Sequence, residues 1–307
     1  MRYLLTYFTL LYSSVFSFCL GQDKTDIYIL PASAYLFPKE VSSHYLLADS
    51  VSLRENPSSI GRFLGVLRAG AKVMVLEDSD SISTIKGIKS KWYKIKTQEG
   101  DTQRVGWVWG GFIASHAFKS KDNLDVKFLI GLDRISKHPK YEYQFEYKFK
   151  VKAIQDSILI SEKIIDVPAS YVRDVKSLGN AGLNNLDDII AIGVPCASEG
   201  CGCPTGIIYL FWNNNEFVQR LDAIGFPDAE FSESTEYIFP SDLEGEKGMI
   251  IKRISMVDQK KQKMVKQDDD TVHRIYSIEY YKWNSKELTK ASKKGIIKKY
   301  TITTPFF

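Results

Sequence analysis

Three cysteines fall within the run Pro195-Cys196-Ala197-Ser198-Glu199-Gly200-Cys201-Gly202-Cys203-Pro204. Thiols so close together can form a disulfide, bind a metal or supply a nucleophile. Glycine and proline make the run a tight surface loop. A loop-closing disulfide suits an oxidising compartment, with Cys196 joined to Cys201 or to Cys203. The spacing leaves that pairing open, and the odd cysteine stays free or pairs with another chain. Zinc would need a fourth ligand from His44, His116, His138 or His273, none of them near in sequence, and C-x-C is not the usual finger spacing. Thiol catalysis needs a cysteine at a helix start and a downstream histidine. His273 is the only histidine after the loop, and no amphipathic helix follows it.

Carboxylates give no sharper site. Asn184, Asn185, Asp187 and Asp188 stand in Leu183-Asn184-Asn185-Leu186-Asp187-Asp188-Ile189-Ile190, but the glycine turn of a calcium loop is missing, so a polar turn before a strand is expected. Glu230 and Glu233 are too ordinary a pair to nominate a glycosidase. No Gly-x-Ser-x-Gly elbow, His-Glu-x-x-His or phosphate loop occurs. The reading therefore names no catalytic residue, no metal and no cofactor.

The N-terminus carries Arg2 and then an uncharged run from Leu4 to Phe18, ending in Cys19-Leu20-Gly21 before Gln22. That order predicts an export signal over 1–21. A membrane anchor is weakened by Thr6, Thr9, Ser13, Ser14 and Ser17. A lipoprotein acylated at Cys19 is disfavoured by Phe18. No later stretch is long and apolar enough to span a bilayer, so the mature chain is expected without a transmembrane segment, in the periplasm or cell envelope or secreted. A lead-in segment fills 22–43.

Residues 44–115 alternate short apolar strands with turns: Val51-Ser52-Leu53-Arg54, then Asn56-Pro57-Ser58-Ser59; Phe63 to Leu67, then Ala69-Gly70; Lys72 to Leu76, then a polar loop over 78–91; Trp92 to Lys96; and Val105 to Trp109. Such spacing predicts a small β-barrel. In order, Val51-Ser52-Leu53-Arg54-Glu55-Asn56-Pro57, Leu67-Arg68-Ala69-Gly70-Ala71-Lys72-Val73, Trp92-Tyr93-Lys94-Ile95 and Gly106-Trp107-Val108-Trp109-Gly110-Gly111-Phe112-Ile113 resemble the bacterial-type SH3 domain. The insertion over 78–91 and the extra Asp101-Thr102-Gln103-Arg104 depart from it in loops. The resemblance implies a binding module found in exported bacterial proteins, taking a peptide or a cell-wall component in an aromatic groove. Arg54, Trp92, Tyr93 and Trp109 are the ligand-binding expectations. Against them, Trp92 and Trp107 read first as barrel filling, and Trp109 shares Trp107's strand face. A papain-like cell-wall peptidase would be a natural companion of such a module, but its constellation is missing.

Residues 116–125 are polar and read as a linker. From 126 to 307 the pattern is again β, with Tyr141 to Val151 alternating aromatic and polar residues. Ile207 to Phe217 lies over Ile278 to Leu288 with the shared pattern Ile-x-Tyr-x-x-Trp-Asn-x-x-Glu, 71 residues apart, each a strand running into an Asn turn. A β-rich domain with related hairpins follows, sandwich or propeller-like.

A formal charge of +4, from 41 basic and 37 acidic residues, is too balanced for a nucleic-acid binder. Hydrophobic content of 44% excludes wholesale disorder. The lysines over 260–266 and near the C-terminus read as solvated surface, with attraction to an anionic envelope polymer as the functional alternative. The sequence thus predicts a mainly β, exported, non-catalytic protein with a small SH3-like β-barrel and a larger β-rich domain. Its expected partner is a cell-wall peptide or an envelope protein. The rivals are a glycan hydrolase with its site in the second domain and a structural scaffold of an envelope complex.

Overall fold

Apolar residues recurring at every second position give antiparallel strands through most of the chain. The computed structural model describes residues 43–140, 144–196, 202–227, 231–258, 270–293 and 295–304. The expected export signal with Cys19, the lead-in as far as residue 42, Cys201, Glu230 and the lysine run at 260–266 lie outside the described residues.

The first sheet holds β1 (His44–Tyr45), β2 (Ser50–Arg54), β3 (Phe63–Arg68), β4 (Lys72–Ile85), β5 (Ile88–Glu99) and β6 (Thr102–Trp109), ordered β1-β4-β5-β6-β2-β3. It curls around Leu46, Val51, Leu53, Val73, Tyr93, Ile95 and Val108, which form one core. A 3-10 turn at Gly110–Phe112 and a bridge between Leu46 and Ile113 close one end.

Residues 78–91, expected as a polar loop, instead form the outer halves of β4 and β5, which meet at a Lys86–Gly87 turn. Serines and aspartates hide the strand period there. The pairs Ser83↔Ser90 and Ile85↔Ile88 still carry the ladder to the turn, and irregular register between Asp78 and Ile82 breaks it midway. The hairpin arm docks on the next sheet.

Residues 116–125, expected as a linker, also prove structured. Their first half is β7 (His116–Lys119), and Ser120 and Asn123 shape the turn that follows. Phe118 packs into the core while Ala117 and Lys119 face out. Four residues are too few to display a period.

Two four-stranded meanders and a five-stranded one follow among the described residues. The first runs β7, β8 (Val126–Lys137), β9 (Phe145–Gln155), β10 (Ile158–Val167). The second runs β11 (Arg173–Ser177), β12 (Asp188–Val194), β13 (Thr205–Asn213), β14 (Glu216–Gly225). The third runs β15 (Phe231–Ile238), β16 (Ile250–Asp258), β17 (Asp270–Trp283), β18 (Leu288–Lys290), with β19 (Ile296–Thr304) paired along the first part of β17.

The meanders stack face on face. Phe128, Val151 and Ile165 of the first share a core with Ile190, Leu210 and Trp212 of the second. The opposite face of the second, with Ile189, Tyr209 and Phe211, packs on Phe239, Ile250 and Trp283 of the third. β12 is buried at every position because sheets cover both its faces, so its sequence is a continuous apolar run instead of an alternation.

The two related hairpins are equivalent in space, each joining the third and fourth strands of its meander. Asn214 and Asn215 take φ of 49° and 63°, the left-handed conformations of a tight hairpin turn. Asp156 and Ser157, at 49° and 66°, make the same two-residue turn between β9 and β10 with no Asn to mark it, whereas β17 and β18 are joined through four residues of which only Ser285 is left-handed.

The barrel covers the outer face of the first meander. Leu47, Ala69 and Ala114 pack on Leu129 and Ile154. Asp49 pairs with Lys152, whose side chain is fully buried. At the arm's tip, the Ile135 N–H donates to the Lys86 carbonyl at 3.0 Å and Lys86 Nζ meets Asp133 at 3.2 Å.

Candidate ligand-binding face

β5 and β6 present two faces, and the cross-strand register sorts the aromatics between them. Tyr93, Ile95 and Val108 point into the barrel. On the outer face, register pairs Trp92 with Trp109, Lys94 with Trp107 and Lys96 with Val105. The first of these pairs is covered. Trp92 Nε1 donates to Ser83 Oγ at 2.9 Å and Trp109 Nε1 donates to the Ser83 carbonyl at 3.0 Å, so one arm residue satisfies both indoles. Ile88 and Ile135 complete the cluster.

Three of the four ligand-binding expectations are therefore interior. Trp92, Tyr93 and Trp109 are 3%, 3% and 2% exposed. Burial is the main reason the Tyr93 hydroxyl has its pKa pushed up to about 12, with Asp78 adding to it. Arg54 alone of the four is partly open. Its Nη1 donates to the Gly61 carbonyl at 3.0 Å and its guanidinium lies 5.9 Å from the centre of the Phe63 ring.

Arg54 marks the part of the outer face that stays open. Register places it beside Trp107 on one side and Phe63 on the other. Trp107 is half-buried, with Lys94 Nζ 5.9 Å from its ring centre and Glu77 2.8 Å from that same ammonium. Phe63 is more than half exposed. The next row, Met74, Lys96 and Val105, continues the surface. Aromatic planes edged by cations suit an extended chain that offers apolar groups and carboxylates. Sequence reading assigned Trp107 to the filling because large aromatics are usually buried. The missed signal was the arm, which covers only one end of the outer face.

The other sequence candidates lie elsewhere. Cys196 and Cys203 form a disulfide across the β12–β13 connection, with Cα atoms 5.5 Å apart, which settles the pairing left open above. Asp188 is fully buried, and its carboxylate accepts from the hydroxyls of Ser120 (2.5 Å) and Ser177 (2.7 Å) and from the Gly179 N–H (3.0 Å). Asp187 instead accepts from the Asn214 N–H at 2.8 Å, so the two carboxylates serve separate turns. Among the described residues no cluster of three or more His, Cys, Asp or Glu side chains is placed to hold a metal. No helix there is long and apolar enough to cross a membrane.

Residues 49–114 match the family model of the bacterial SH3 domain. That span contains the whole aromatic and cationic face together with the arm. The chain thus carries a bacterial-type SH3 domain, as the four sequence blocks implied. Neither a curated protein nor a solved structure matches the chain.

Proposed function

We propose that this chain is a non-catalytic, exported binding protein whose SH3 domain holds a peptide of the cell envelope, peptidoglycan being the first substrate to test. The observation that carries the reading is Trp107, left half-open on the barrel with Lys94 and Arg54 beside it and Phe63 next in the row. A half-exposed indole between cations offers stacking area and charge to one ligand. The Cys196–Cys203 disulfide supports export, since such bonds persist in oxidising compartments.

Sedimentation of residues 22–307 with purified sacculi tests the proposal. Wild type is expected in the pellet and Trp107→Ala in the supernatant. Wild type remaining soluble would sink the binding reading, and soluble fragments released from the sacculi would install the hydrolase in its place. One observation favours a scaffold role as well: the barrel covers the outer face of the first meander and so completes that sheet's burial.

A further inference from the structure

The face around Trp107 leaves two features of the barrel unused. The first is β3, an edge strand whose one side pairs with β2 while no strand lies along the other among the described residues. The edge is only lightly guarded: Arg104 Nη1 donates to the Val66 carbonyl at 3.3 Å, and a register irregularity lies between Phe63 and Gly65. Phe63, Leu64 and Val66 are 54%, 39% and 46% exposed, and no lysine or proline interrupts the strand. Open apolar edges recruit further strands through their free N–H and C=O groups, so proteins ordinarily blunt or cover them.

The second feature is a groove of roughly 670 Å³ at the end of β3. Val66 and Arg68 line it from the barrel, and Ile158 and Leu159 line it from the β9–β10 turn. The acidic groups that face it are already engaged, Glu99 by Arg104 at 3.2 Å and Asp49 by buried Lys152. Arg68 is exposed and has no acidic partner among the described residues. The groove is therefore mainly polar, with Val66, Ala69, Ile158 and Leu159 as its apolar part, and it sets an uncommitted guanidinium beside a strand edge.

We infer that β3 accepts an extended peptide as an added strand, with Arg68 binding a carboxylate of that peptide in the groove between the barrel and the β9–β10 turn. The inference rests on the peptide-binding reading above and assigns it a second, charge-reading half. Strand addition supplies main-chain hydrogen bonds along Phe63–Arg68, and every second side chain of the guest meets the barrel. Arginine's planar fork matches a carboxylate with two parallel hydrogen bonds. Because Ile158 and Leu159 belong to the first meander, the site is composite, and the barrel alone lacks one wall.

The test uses residues 22–307 and soluble muropeptides cut from sacculi, before and after their carboxyls are converted to amides. Amidation and Arg68→Glu should each weaken binding about tenfold, and Arg68→Glu should cost nothing further once the ligand is amidated. Lys176→Glu, an equal charge change on exposed β11, should leave affinity unchanged. Backbone amides of 63–68 should exchange more slowly in the complex. Intact muropeptides that bind with no response to Arg68→Glu, to amidation or in β3 exchange would overturn the inference and leave the Trp107 reading standing. A chain that binds neither sacculi nor muropeptides would remove that reading, and this inference with it.

Discussion

Trp107 and Trp109 stand two residues apart on one face of β6, yet Trp109 is 2% exposed beneath the hairpin arm while Trp107 is half-open beside Lys94. The difference arises outside β6, from how far the arm and Ile135 reach along the sheet. One strand face is thereby divided into a covered end and an open end.

That division gives opposite outcomes for one substitution type. Trp109→Ala should destabilise the protein by about 3–5 kcal/mol, because a large buried ring and its hydrogen bond are lost together. Trp107→Ala should change stability by about 1 kcal/mol or less and abolish sacculus binding. Urea unfolding set beside co-sedimentation separates the two. Equal stability losses would show that the two rings are not divided in this way.

The arm's tip makes a second, sharper case. Gly87 has φ of 78°, and a Cβ placed there would lie 2.2 Å from the Ile135 carbonyl oxygen. Gly87→Ala should therefore lift the tip off β8, at a cost of about 2–3 kcal/mol. Gly100, at φ of 57° with nothing within 4 Å, supplies the control. Its alanine variant bears only backbone strain of about 1 kcal/mol. Limited proteolysis should cut Gly87→Ala within 78–91 and spare Gly100→Ala there.

These two cases also show where the sequence was legible. The barrel could be read because its strands alternate and its four blocks occur in order, and β12 as the apolar strand after the Asp187-Asp188 turn. The likeness of the Asn hairpins survived in topology, each joining the third and fourth strands of its meander, although only the first turns through two left-handed Asn residues. The arm could not be read, since Ser79, Ser81 and Ser83 carry no hydrophobic period and its partner Ile135 lies far along the chain. The cover over Trp92 and Trp109, and the opening at Trp107, escaped the reading for the same reason. Alternation assigns a residue to a face but not to the covered or bare end of it.

Asp188 links two meanders through one carboxylate, accepting from Ser120 after β7, from Ser177 at the end of β11 and from Gly179 beyond it. Asp188→Ala should leave those donors buried without a partner and cost about 3 kcal/mol or more. Ser120→Ala removes one donor and should cost about 1 kcal/mol. Thermal unfolding of both variants checks the ratio. Equal losses would mean that the carboxylate is not the hub.

The disulfide closes a short loop, Cys196 to Cys203 with a separation of 7, so its chain-entropy contribution should be about 2–3 kcal/mol. Residues 22–307 contain one further cysteine, Cys201. Intact mass after alkylation should show one modified thiol without reductant and three with it. Three modified thiols without reductant would remove the bond.

Acid stability should depend on Asp133. Burial is the largest single influence on its carboxyl and pushes its pKa up, but Lys86 and Lys150 together outweigh that and hold it below the ordinary carboxylate value. A folded-state pKa below the unfolded one adds stability that is present above the unfolded value of about 4 and is lost as pH falls through the folded value. The arm should therefore loosen from β8 in acid, where the protonated carboxyl no longer holds Lys86. Asp133→Asn should lower stability at neutral pH and flatten the decline below about pH 4. A pH series of urea midpoints for both proteins decides it, and parallel curves would show that Asp133 does not couple the arm to pH.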